Sequence, residues 1–453
     1  MRTAIATNRF GLGRRLDDRI DDPRRWLLGQ LESYDPRPAV IAALPGGNAN
    51  AAAYLDLVVA RQERRRAAES GMPAEPAPMR GGPRDAYLDQ ATARLGHALT
   101  APAPFVERLV HFWANHFAVS VDRNIILGLA GNLEFEAIRP HVLGRFCDML
   151  LAVERHPAML MYLDQVRSVG PDSRAATRAA QPEARQRGLN ENLAREILEL
   201  HTLGVTGGYA QTDVQELAKG LTGWTVAGLR GAGGTPGTVL FRPVVHQPGE
   251  RTLLGKRYPA AGEAQSRAML LDLAAHPATA RHVATKLARH FVADEPPAAL
   301  VDRLAKAFQA SGGDLPTVYR ALIDAPEASA ATAPKFKSPW DWTVSSLRAL
   351  GVREANRRAV RTVAALGQPV WRPGSPAGWG DVTATWAGSD ALMRRVEVAQ
   401  QLAMRLPDID ARALSPRLFD GAVSSTTTAV LAGAESPAQA TALLLAAPEF
   451  QRR

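Results

Sequence analysis

Residues 190–224, NENLAREILELHTLGVTGGYAQTDVQELAKGLTGW, gather the groups in this chain best able to do chemistry. Asn190, Glu191, Asn192, Arg195, Glu196, Glu199 and His201 precede a glycine turn at 204–208. Asp213, Glu216 and Lys219 follow it, close to Trp224. Carboxylates hold cations or move protons, an imidazole serves as acid or base near neutral pH, and a guanidinium orients an anion. The segment reads as a candidate polar site built on two short helices.

Helical geometry decides which of these groups can cooperate. At ~100° per residue over 189–203, Leu193, Ile197 and Leu200 form the core stripe. Glu196 and Glu199 project from one side of it, whereas His201 lies ~160° from Glu199. A Glu199-x-His201 chelate is therefore excluded on a regular helix. In HFWANHFAVSV (111–121), five residues place His111 and His116 ~140° apart, so one ion cannot take both. His111 shares a face with Asn115, and His116 borders the apolar stripe of Leu109, Trp113 and Phe117.

His116 with Glu196 and Glu199 would make a ligand set for a divalent transition metal. His201 or His246 would then be the acid or base, and Arg195 would orient a carboxylate or an anionic substrate. The structural alternative makes His116 a hydrogen-bonded core histidine and pairs the glutamates with Arg195 or Arg123. Asp213 and Glu216 have a ready structural role near a helix start, with Thr212 as the expected N-cap. Trp224 either overhangs a cleft or packs in the core. His282, Lys286, Arg289 and His290 form one basic face, expected to be solvated. In KFKSPWDW (335–342) the lysines and a helix N-terminus could hold an anion.

The stretch 190–224 resembles the signature of a bacterial family known as domain of unknown function 1800. HFWANHFAVSV, HPAMLMYLD (156–164), TLLG (252–255) after His246, HPATARHVATKLARHFV (276–292), KFKSPWDW and NRFGLG (8–13) agree with it. The likeness covers nearly the whole chain. One departure is Gln247, where members usually carry an acidic residue directly after the His246 position. The resemblance brings no established activity. It also implies a non-catalytic alternative, in which the protein is the assembly or export partner of a sulfatase-like protein from unknown-function family 1501.

The elements that must position these groups are helices. Apolar residues recur at helical spacing over 84–99, 104–119, 129–143, 144–155, 157–167, 189–203, 211–222 and much of 262–366. Glycine and proline break the pattern at 225–258, where 238–241 and 251–254 suggest a strand pair. Residues 367–386 are irregular and rich in Trp, Gly and Pro. The expectation is a mostly α, multi-helical body with a small β-hairpin insertion near 225–258. It divides into an N-terminal arm and linker (1–83), a central region carrying the signature (84–225), the insertion (226–258) and a C-terminal helical region (259–453), all within one family domain over about 8–450. Segment 61–83 should end as a flexible linker, and 168–188 should be a mobile polar stretch.

Composition sets outer limits. The chain has 453 residues, 46% hydrophobic and 22% charged, enough to bury a substantial core. Its net charge of +9 is carried almost wholly by scattered arginines. No basic stripe interleaved with aromatics appears, so no nucleic acid partner is expected. Cys147 is the sole cysteine, which rules out an intrachain disulfide. No apolar run reaches the ~18 residues of a membrane helix, and 4–6 is too short for a signal core. A cytoplasmic protein is expected, unless a partner exports it.

Overall fold

Proline at the first turn marks where many helices begin. Pro23, Pro83, Pro104, Pro157, Pro277, Pro339 and Pro437 each open one, where the missing N–H costs nothing. The preceding residue often supplies the cap. Asp22 accepts from the Arg25 amide at 3.0 Å and Ser338 from the Asp341 amide at 3.1 Å. His156 and His276 do the same through Nδ1, at 3.2 and 3.1 Å, so the two His-Pro steps are architectural.

The computed structural model describes residues 1–70, 82–178, 188–229, 232–330, 335–406 and 409–453. Parts of the two expected flexible segments, 71–81 and 179–187, lie outside the described residues. Helices dominate, with two small antiparallel ribbons. Trp224–Val226 pairs with Val239–Phe241, and Arg251–Leu253 pairs with Lys256–Tyr258. The mostly α class with a small β insertion is therefore observed, but the expected pairing of 238–241 with 251–254 is not. Leu254 and Gly255 both have positive φ, 49° and 76°, and close a two-residue hairpin turn. That turn folds 251–253 back on its immediate successor instead.

Helix Pro104–His116 runs through the core. Phe105 packs against Phe10 and Phe291, with ring centroids 5.5 and 5.8 Å apart, and the Trp113 indole donates to the Tyr319 hydroxyl at 2.7 Å. Of its residues only His111, Ala114 and Asn115 escape full burial. Their spacing of i, i+3, i+4 puts them in one stripe. The helix stops at His116, earlier than the expected 119, because Phe117 leaves helical geometry. Helix Pro277–Phe291 packs on Ala298–Ala310, and Ser389–Arg405 packs on Pro437–Ala446. Among the described residues, no helix is long and apolar enough to cross a membrane.

Candidate functional site

The signature helix is not regular. It is α-helical over Asn192–Glu196 and widens to a π turn over Ile197–His201, a distortion that re-aims side chains and is frequent at functional sites. His201 is fully buried, its Nδ1 2.7 Å from Glu154 Oε1. His116 is also buried, and its Nε2 donates to the His201 carbonyl at 3.1 Å. Their rings lie 6.1 Å apart, with His282 6.0 Å from His116. Burial drives His116 well below its ordinary pKa and, with Lys286 adding repulsion, lowers His282 to about 4.

The expected ligand set is not assembled. His116 meets the His201 carbonyl, and His201 in turn meets Glu154, while Glu199 lies 3.5 Å from Arg195. Arg195 in turn bonds Glu191 at 3.2 Å and Gln211 at 3.0 Å, in a partly exposed network away from the two imidazoles. Glu196 is half-buried, and burial raises its carboxyl. Among the described residues, no group of three or more His, Cys, Asp or Glu side chains is placed to hold a metal ion.

The other candidates have local tasks. Asn190 receives the Asn192 amide on its Oδ1 at 2.8 Å and donates to the Asp164 carbonyl, while Asn192 itself is exposed. The helix after the glycine turn begins at Gln211, one residue before the expected Thr212 cap. Asp213 accepts from the Ala210 and Leu254 amides, both at 2.8 Å, and so ties the helix start to the second ribbon. His246 Nδ1 donates to the Thr222 carbonyl at 2.8 Å, and its ring stacks edge-on to Phe241. Gln247 exchanges two hydrogen bonds with Asp172, at 2.8 and 2.9 Å. Trp224 is buried and forms part of the wall of a broad groove of about 750 Å³ with Arg155 and Glu263.

His111 and Asn115 belong to a different place. With Ala114 and Ala118 they form one wall of a cleft of about 90 Å³. Opposite stand helix Pro339–Ala349 and the irregular segment 367–386. These contribute Trp340, Asp341, Trp371, Trp379, Asp381 and Trp386, while Arg94, Arg108, His290 and Arg453 complete the lining. Asn115 fixes the Trp379 backbone from both sides, donating to its carbonyl at 2.9 Å and accepting its amide at 2.7 Å. Gly378 has φ +79°, and a Cβ there would sit 2.3 Å from the Asn115 carbonyl oxygen, so only glycine permits this approach.

The cleft is charged but internally matched. Arg94 bonds Glu134 at 2.8 Å, and its guanidinium lies 4.3 Å over the Trp340 ring. Arg108 bonds Asp341 at 3.0 Å. His290 Nδ1 lies 2.7 Å from Asp381 Oδ2. Burial opposes ionisation of Asp341 and Asp381. Even so, Arg108 and Arg453 around the first, and His290 and Lys335 around the second, hold both well below the carboxylate range. Burial lowers His290 to about 4, against the pull of Asp381. At neutral pH His290 is thus an uncharged imidazole that donates Nδ1–H to Asp381 and keeps a lone pair on Nε2.

Several buried nitrogens at this cleft lack a hydrogen-bond partner among the described residues: His290 Nε2, His111 Nε2, and Arg453 Nε and Nη1. Two of them have a carboxylate nearby without hydrogen-bond geometry, His111 Nε2 at 3.3 Å from Glu107 and Arg453 Nε at 3.3 Å from Asp341. Buried polar atoms usually find a partner in protein or water, and unpartnered ones also occur away from the cleft, as at His201 Nε2 and Trp224 Nε1. The basic face expected to be solvated is instead turned inward: His290 reaches Asp381, and His282 Nε2 donates to the Leu200 carbonyl at 2.9 Å. The lysines of KFKSPWDW are spent internally as well. Lys335 bonds Asp294 at 2.8 Å, and Lys337 bonds Ser345 at 3.1 Å.

Sequence reasoning missed Glu154, Arg94, Arg108, His290, Asp341, Asp381 and Arg453 as site residues. One available signal was the density of tryptophan in 371–386, which recurs beside the Trp340 motif.

The model of a family described as "Protein of unknown function (DUF1800)" matches residues 5–452. No curated protein and no solved structure matches the chain.

Proposed function

Since the chain belongs to this family of unknown function, which brings no activity with it, we propose that it binds a small molecule in the tryptophan-walled cleft. We further propose that it acts there by acid–base chemistry. The observation that carries this reading is the His290–Asp381 pair, at 2.7 Å, in a lining residue whose Nε2 is buried and unpartnered. Asp381 holds the Nδ1–H tautomer, which leaves Nε2 to accept a proton from a substrate O–H or N–H and return it later. Asn115 keeps the Trp379 wall in register with these groups.

The test is a thermal-shift screen of the purified chain against a broad metabolite library. Compounds that stabilise the wild type should lose their effect in His290→Gln, with turnover of any substrate falling ~10²–10⁴-fold. A library that leaves the wild-type melting temperature unmoved throughout would refute the reading.

The second reading is a non-catalytic assembly or export partner of a sulfatase-like protein. It is favoured by how many buried charges are already paired internally, as Glu107 is with Arg139 at 2.8 Å. Under it, His290→Gln lowers the melting temperature and changes no ligand response.

A further inference from the structure

Resting on the cleft reading, we propose that the ligand is an uncharged pyranose, stacked on Trp379 with its hydroxyls between Arg453 and His290. Charge matching argues first against an ionic ligand. The cations of the lining, Arg94, Arg108 and Arg453, face Glu134, Asp341 and Asp381, and an added carboxylate or ammonium would upset a balance already struck.

Hydrogen-bond capacity argues next for hydroxyls. Arg94 and Arg108 are occupied by carboxylates, and Arg108 also bonds the Gly11 carbonyl at 2.6 Å. Arg453 has a side chain only 3% exposed and retains unused donors at Nε and Nη1. Its backbone is pinned, with the amide bonded to the Lys335 carbonyl at 2.9 Å. His290 Nε2 supplies an unused acceptor. A hydroxyl both accepts and donates, so neighbouring hydroxyls on one ring edge satisfy a guanidinium and a neutral imidazole together.

Size and surface agree. The cleft is small, about 90 Å³. It suits the polar edge of a single ring rather than a whole cofactor. Three of the tryptophans are already engaged: Trp340 donates to His111, Trp371 to Glu134 and Trp386 to the Gly380 carbonyl. Trp379 is half-buried, clamped by Asn115 and angled 51° to Trp386, which leaves it to present an indole face to the apolar side of a sugar.

The experiment titrates the full chain with the methyl glycosides of glucose, galactose and mannose, with glucuronate and with benzoate. Binding is read by intrinsic fluorescence and by saturation-transfer NMR. At least one neutral glycoside should bind saturably, and Trp379→Leu should weaken it ~10-fold. Arg453→Gln should weaken it similarly. Trp379 is only half-buried, so Trp379→Leu should keep the wild-type melting profile even if Arg453→Gln does not fold. Binding of glucuronate or benzoate without any neutral glycoside would overturn the sugar assignment and leave the cleft reading intact. Binding unchanged by Trp379→Leu would overturn the placement. No binding by any glycoside, alongside hits of other chemistry in the metabolite screen, would overturn the sugar alone; silence in both experiments would remove the cleft reading too.

Discussion

The buried carboxylate of Glu107 offers the sharpest test of how the cleft helix is held. Its side chain is 1% exposed and sits against Arg139, 0% exposed, with Nη1 at 2.8 and 2.9 Å from the two oxygens. His97 and His111 approach from other sides, each at 3.3 Å. Burial works against the charge, yet Arg139, then His97 and His111, hold the carboxyl well below the usual range. Glu107→Gln keeps one acceptor and removes the charge, which strands the fully buried Arg139 guanidinium without its counter-charge. Breaking one side of such a pair costs ~3–5 kcal/mol, a large share of the ~5–15 kcal/mol that holds a typical domain folded. Replacing both partners, Glu107→Gln with Arg139→Met, should recover most of that loss, because no charge is then left unpaired. Urea denaturation followed by circular dichroism, compared at matched m-values, reads the cycle. A single-mutant cost under ~1 kcal/mol, or a double mutant no better than the single, would refute the argument.

Two further outcomes concern acid and the cleft wall. The unfolded chain takes up protons on His282 and His290 near pH 6.5, whereas the folded chain refuses them until about 4. Stability should therefore fall as pH drops through that window, by up to ~3 kcal/mol per histidine, and His282→Gln should flatten the measured profile. Asn115→Ala removes both hydrogen bonds to the Trp379 backbone, and Gly378→Ala forces a contact at 2.3 Å. Either change should speed amide exchange across 376–386 while exchange in Ala298–Ala310 stays unchanged. Equal exchange in both regions would mean that Asn115 does not hold the wall.

Much of the local architecture was legible because it depends on near neighbours. Proline at first turns, the His-Pro caps, the helical stripe of helix Pro104–His116 and the pairing of His111 with Asn115 on one face all follow from residues within four positions. The burial of His116 was legible too, from its place beside Trp113. The hairpin pairing was not. The choice between two candidate partners for a short strand rests on the φ of Leu254 and Gly255, which an apolar pattern does not report. The widening of the signature helix to a π turn over Ile197–His201 was not legible either, because the apolar pattern does not report it.

Periodicity, caps and motifs are written in contiguous residues, so the family, the mostly helical class and the faces of individual helices could be read directly from them. Tertiary structure alone decided which faces meet. His290 reaches Asp381 across ninety-one positions, and Arg108 reaches Asp341 across two hundred and thirty-three. Each of these residues looked ordinary in its own segment, and one of them lay on a face expected to meet solvent. A buried charge survives only where an opposite charge and hydrogen bonds are brought to it. Those partners come from chain segments far apart in sequence, and so the cleft, unlike the helices that wall it, exists only in the folded protein.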